Sequence, residues 1–210
     1  MGKIFANKMI WVPSMTIALL FVATTADAGI AGSDHDFSTE GWNASGELCV
    51  VCHTPHNADV TVALAPLWNH DVTTAVYTIY ASDTLDAIVG QPDGGSKLCL
   101  SCHDGTIALD SFGGQVGSTF IDADHRIGTD ISDDHPISFT YDPALAAADG
   151  ELFDPSTTPS SLGGTIDDDL LFGSQVECGS CHDVHDTLGN DDLLRVDNAG
   201  SALCLTCHDK

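Results

Sequence analysis

The sequence predicts a chain of mostly irregular coil, with short α-helices and little or no sheet. Three observations lead there. Twenty glycines, eight prolines and many Ser and Thr residues interrupt any regular run. No alternation of apolar and polar residues lasts long enough for a sheet strand. All eight cysteines fall in four copies of one short module, C-x-x-C-H, and none is left over.

The copies are Cys49-Val50-Val51-Cys52-His53, Cys99-Leu100-Ser101-Cys102-His103, Cys178-Gly179-Ser180-Cys181-His182 and Cys204-Leu205-Thr206-Cys207-His208. The spacing is the attachment signature of c-type haem. Each thiol can form a thioether with one porphyrin vinyl group, and the next imidazole then reaches the iron from one face. Paired C-x-x-C motifs also hold zinc. With 10 histidines in 210 residues, a chance histidine after all four pairs is on the order of one in 10⁵. The fold class is therefore coil and short helices wrapped around a chain of four covalently bound haem c groups.

Residues 1–28 read as a secretory signal peptide. Lys3 and Lys8 precede a short apolar core, Met15 to Ala23, and Ala26-Asp27-Ala28 is an A-x-A cleavage site before Gly29. The apolar core is too short for a membrane span, and no other stretch approaches the ~20 residues needed. A retained anchor is the alternative. Export also fits covalent haem attachment, which in bacteria happens outside the cytoplasmic membrane.

Residues 29–210 leave about 45 residues per macrocycle, so the haems themselves form much of the apolar core. Short helices are expected around the haem motifs. Ser96 and Ser201 stand where caps would precede Leu98-Cys99-Leu100 and Leu203-Cys204-Leu205. Asp142-Pro143 before Ala144 to Ala148 reads as another brief helix. Asp167-Asp168-Asp169 reads as a solvated acidic loop, with cation binding as the alternative. Asn43-Ala44-Ser45 matches a glycosylation triplet, which means little in a chain that looks bacterial.

A repeat divides the chain after its signal. Asp34-His35-Asp36-Phe37-Ser38 and Asp134-His135-Pro136-Ile137-Ser138 begin the two copies. Each copy continues with C-x-x-C-H-x-x-H, giving His53 then His56 and His182 then His185. Each ends with S-x-L-C-L-x-C-H-D at Ser96–Asp104 and Ser201–Asp209. Residues 29–117 form a first dihaem unit and 118–210 a second, the two packed as one tetrahaem domain. Gly113-Gly114-Gln115-Val116-Gly117 is the seam between them.

The repeat carries the ligand argument. His53, His103, His182 and His208 are the proximal iron ligands. Met1, Met9 and Met15 are the only methionines, all in the signal, so methionine ligation is excluded. His35, His56, His135 and His185 recur with the repeat and match the four irons in number, which makes them the distal candidates. His70 is held in reserve, and His125 has no counterpart. A histidine three residues beyond a proximal ligand cannot reach round its own porphyrin. His56 and His185 must therefore serve a neighbouring haem, in this chain or in another copy.

Residues 29–210 carry four basic side chains, Lys97, Arg126, Arg195 and Lys210, against 30 carboxylates, a formal charge of −26. Such a field disfavours nucleic acid and anionic membranes as partners. Cationic redox proteins or a positively charged metal-oxide surface suit it better, unless the acid only keeps an exported protein soluble.

Cys52-His53-Thr54-Pro55-His56-Asn57, Ala65-Pro66-Leu67-Trp68-Asn69-His70 and the repeated Cys-His-Asp resemble exported multihaem c-type cytochromes of metal-reducing bacteria. More narrowly, the chain is similar to tetrahaem outer-surface cytochromes that polymerise into extracellular filaments. The resemblance covers nearly all of residues 29–210. It implies bis-histidine haems in a continuous chain, with one iron ligated from the next subunit. The family's donor in trans maps onto His56. His70 has no assigned counterpart and could instead support the packing of Trp68.

Three function classes follow. The first is electron transfer without catalysis, as a secreted filament subunit or a soluble periplasmic shuttle. The second is a multihaem reductase, which needs an open iron face or an altered motif such as C-x-x-C-K, and none is present. The third is a structural metal-binding protein with incidental haem, which four motifs make remote.

Overall fold

A computed structural model describes residues 29–63 and 65–210. The signal-peptide expectation at 1–28 lies outside them. Most of the chain is turn and coil, as expected, with five α-helices, three short 3-10 helices and four two-residue strands among the described residues. No described helix is long and apolar enough to cross a membrane.

Helix α1 spans Gly94–His103 and holds the second haem motif. Its start corrects the expected cap. The N-cap is Asp93, and Ser96 lies inside the first turn, fully buried. The carboxylate of Glu177 performs the cap, accepting from the Ser96 N–H at 3.1 Å and from the Ser96 hydroxyl. A helix N-terminus leaves N–H groups unpaired and favours an anion, so a distant acid can replace a local serine. Gly94 turns into the helix at φ +50°, where an added Cβ would stand 2.8 Å from Glu177 Oε1.

Helix α2, Pro143–Asp149, forms as predicted. Asp142 Oδ1 accepts from the Leu145 N–H at 2.9 Å, and Gly150 closes the helix in the left-handed conformation. Helix α3, Ile166–Leu170, replaces the acidic loop expected at Asp167-Asp168-Asp169. Thr165 and Asp168 form a reciprocal capping box, and Asp169 accepts from the Gly164 N–H at 2.8 Å. Three carboxylates in a first turn complement the helix dipole, a role that their sequence spacing alone does not reveal. Helix α4, Cys178–Cys181, and helix α5, Ala202–Cys207, carry the third and fourth motifs. Ser201 does precede α5, but its side chain makes no capping bond.

The first motif departs from the helical expectation and lies in turns. Val50 and Val51 are β-branched, and Pro55 biases Thr54 away from helix, so nothing extends the turn. Asn43 is buried, with its side-chain amide donating to Phe37 O at 3.0 Å and Glu47 O at 3.2 Å. Its nitrogen is thus engaged inside the fold, away from any glycan.

Strand β1, Thr78–Ile79, pairs in parallel with β2, Asp130–Ile131; β3, Phe139–Thr140, pairs antiparallel with β4, Gln175–Val176. The β1–β2 pair joins the two repeat copies, as does the bond from the Ile127 N–H to His103 O at 2.8 Å. The glycine seam is a turn, with Gly113 at φ +62° and Gly114 at +77°. The buried core is divided. Phe139, Tyr141, Ala146, Ile166, Leu170, Leu171 and Val176 form one cluster, with Cys207 packed on it. Val62, Trp68 and Leu98 form a second against Cys52, and Tyr77, Leu100 and Ile131 a third. Haem motifs thus border the small cores.

Candidate haem-attachment sites

The four motifs share a local design. The histidine N–H donates to the first cysteine's carbonyl in three of them: His53 to Cys49 at 2.8 Å, His182 to Cys178 at 3.0 Å and His208 to Cys204 at 3.0 Å. In the remaining motif α1 runs from before Cys99 to His103. One such turn places cysteines three apart on the same side of the backbone. The first motif makes that turn without a helix around it.

All eight cysteines are free of disulfides. Burial pushes the thiols of Cys52 and Cys207 up to about 11 and that of Cys102 up to about 12. The Cys178 N–H donates to the Ser96 hydroxyl of α1 at 2.9 Å. Motifs two and three therefore touch. Among the described residues no three His, Cys, Asp or Glu side chains converge as a zinc cage would require.

The histidine rings are oriented as metal ligands are. His53 Nδ1 lies 2.6 Å from Pro66 O, His103 Nδ1 2.9 Å from His125 O, and His182 Nδ1 2.9 Å from Asp192 O. His135 Nδ1 lies 2.9 Å from Pro136 O. An Nδ1–H donated to a carbonyl fixes the tautomer and presents the Nε2 lone pair, the usual outer-shell arrangement around a ligating imidazole. His35 Nδ1 is buried without a partner among the described residues. Burial and then His103 lower the His35 pKa, and burial and then His135 lower that of His208. Both rings are thereby kept neutral at pH 7, the form that binds a metal.

The rings also pair. His35 and His103 have centroids 6.1 Å apart, His53 and His185 6.2 Å, and His135 and His208 6.4 Å. Two imidazoles bonded through nitrogen at about 2 Å to opposite faces of one metal would stand about 6 Å apart by centroid. Each pair joins one proximal position to one repeated histidine. The residues present thus fit haem c at both the sulfur and the imidazole positions.

The remaining histidines stand apart from these pairs. His182 has no ring partner among the described residues. His56 is exposed and lines a cleft of about 420 Å³ with Thr54, Asn57, Trp68, His70 and Gly113. His70 is buried, with Nδ1 2.8 Å from Asp71 O and Nε2 3.0 Å from Ala108 O, so both its nitrogens face carbonyls. His125 is exposed and paired with Asp122 at 2.9 Å, a contact that raises its pKa through the hydrogen bond and then the charge.

Sequence reasoning did not find the buried carboxylates Asp104, Glu177 and Asp183 beside the motifs. Cys-His-Asp recurs at Cys102–Asp104, Cys181–Asp183 and Cys207–Asp209, and was the signal for Asp104 and Asp183.

The family described as doubled CXXCH motif matches residues 172–210, which contain the third and fourth motifs. No curated protein matches the chain. A doubled C-x-x-C-H motif is the attachment pattern of covalently bound haem c, and it suggests a multihaem c-type cytochrome.

Proposed function

We propose that the chain is an exported tetrahaem cytochrome with two histidines on every iron, assembling into an extracellular filament that carries respiratory electrons to an external acceptor. The observation that carries this reading is the set of three ring pairs, each joining a proximal histidine to a histidine of the repeat. His53 and His185 hold the haem of Cys49 and Cys52. His103 and His35 hold that of Cys99 and Cys102, and His208 and His135 that of Cys204 and Cys207. His182 holds the haem of Cys178 and Cys181, with no ring paired to it among the described residues. The exposed His56 supplies that position from the next subunit, so assembly completes the ligand set.

Bound haem contributes a one-electron ferric–ferrous couple. The chain's residues do the rest. Cysteine pairs would hold each macrocycle, with Cys52 and Cys207 packed on small apolar clusters, and carbonyls hold the imidazoles of His53, His103, His135 and His182 in their donating tautomer. With both axial positions filled, no face is open to a substrate, which favours a carrier over a reductase. Motifs two and three touch, which would suit electron hopping between the haems they would hold. The formal charge of −26 suits a cationic redox partner or a positively charged oxide surface.

A head-to-tail ligand donation does not close on itself unless rotation permits a ring, so it generates a fibre. The test is electron microscopy and spectroscopy of secreted protein carrying four haems by intact mass. His56→Ala is expected to abolish filaments and create one high-spin haem. Intact filaments with an unchanged spectrum would remove His56 from the ligand set. A changed spectrum in a wild type that stays monomeric would favour the soluble shuttle.

A further inference from the structure

Three carboxylates are buried against the second and third motifs. Asp104 follows His103 directly, Glu177 precedes Cys178 and Asp183 follows His182, and they are 4, 5 and 8% exposed. The corresponding positions of the first motif are Leu48 and Thr54, and those of the fourth are Leu203 and the exposed Asp209. The buried acids are thus confined to the middle pair.

Hydrogen-bond donors surround each of them. Asp104 accepts from Tyr77 at 2.6 Å, from the Thr73 hydroxyl at 2.7 Å, and from the Thr106 N–H and hydroxyl at 2.7 Å each. Glu177 Oε2 accepts from the Ser96 N–H and hydroxyl and from the Ser138 hydroxyl. Asp183 accepts from the His185 N–H at 3.1 Å and from the Thr187 N–H and hydroxyl. Among the described residues no lysine or arginine makes an ion pair with any of the three. Only neutral donors solvate two of these charges, and Asp183 has in addition the His185 ring at 4.0 Å.

We infer that the buried carboxylates Asp104 and Glu177 set the haems of the second and third motifs at lower reduction potential than those of the first and fourth. The inference rests on the tetrahaem reading above. Each couple is one ferric iron taking one electron to become ferrous, with no bond made or broken. A nearby buried anion stabilises the more positive ferric form, and a low local dielectric strengthens that effect relative to an exposed acid such as Asp209. The reduced protein therefore stores electrons first at the haems of the first and fourth motifs.

The test is potentiometric titration of the haem-loaded protein followed by visible spectroscopy, with an electrode as electron source. Glu177→Gln and Asp104→Asn are each expected to shift the low-potential half of the curve upward. The change expected is about tenfold in the ferric-to-ferrous ratio at fixed potential, roughly 59 mV for one electron. Asp209→Asn, at the matching place in the fourth motif, should leave the curve in place. A shift confined to the high-potential half, or none in Glu177→Gln, overturns the inference, and Glu177→Gln alone decides it where Asp104→Asn does not fold. Fewer than four haems by mass in the wild type would instead overturn the tetrahaem reading.

Discussion

His53 and His185 face each other with ring centroids 6.2 Å apart and planes 13° from parallel, although the glycine turn at Gly113 lies between them in the chain. The pair couples the first haem motif to the segment just beyond the third. Asp183 steadies that segment by accepting from the His185 N–H, so the loop after His182 turns its second histidine toward His53.

His185→Ala is expected to open the first haem and leave the third unchanged, despite lying three residues from His182. Magnetic or resonance Raman spectra of four-haem protein should gain one high-spin centre. Removing the first haem by replacing Cys49 and Cys52 should make His185→Ala silent, since the two changes then act on one site. A high-spin signal that persists in that background would place the target of His185 elsewhere.

His70 makes a contrasting case. Both ring nitrogens face carbonyls and the side chain is buried, so its role is to join the Trp68 segment to Ala108 beside Cys102. His70→Ala should lower stability by about 2–4 kcal/mol through a cavity and unpaired carbonyls. The haem spectrum should stay low-spin. A new high-spin haem with unchanged stability would reverse that assignment and return His70 to the ligand set.

The repeat made much of this legible. Histidines recurring at fixed offsets from the cysteines stand out in the sequence, and the rings of His35, His135 and His185 each lie near that of a C-x-x-C-H histidine. The Asp142-Pro143 helix start was readable because its cap is local. What the pattern hid was long-range. Ser96 looked like a cap, but the acid that caps α1 comes from residue 177. Asp167 to Asp169 looked like a loop because the ladder that makes them a helix depends on Thr165 and Ser160. The pairing of His185 with the first motif, and not another, depends on tertiary contacts that no spacing encodes.

Tyr141 ties the last motif to the larger core. Its side chain is buried, and its hydroxyl donates to Phe153 O at 2.6 Å and approaches Cys207 O at 3.3 Å. Tyr141→Phe keeps the ring and leaves those carbonyls short of a donor, so it should cost about 1–3 kcal/mol in denaturant unfolding. Haem loading should be unchanged. A variant as stable as the wild type would show that the carbonyls find other donors.

Acid should destabilise the protein in two separable steps. Burial first, and then neighbouring histidines, lower the pKa of His35 and His208, so the unfolded chain binds protons more readily at these sites. Their contribution is complete above the ordinary histidine value of about 6.5 and declines as pH falls below it. Burial would raise the Asp104 carboxyl, but hydrogen bonds from Tyr77, Thr73 and Thr106 outweigh it and hold the group below its usual range. Asp183 follows the same balance, with Thr187, the His185 N–H and Arg195 opposing burial. A depressed carboxyl contributes stability that is fully present above about 3.9 and is lost below it. Urea midpoints followed by far-ultraviolet circular dichroism should therefore be level above pH 7, fall below about 6.5, and fall again below about 4. Asp104→Asn should lower the whole curve and shrink the second step while leaving the first. If the second step keeps its full size in that variant, the Asp104 network is not its source.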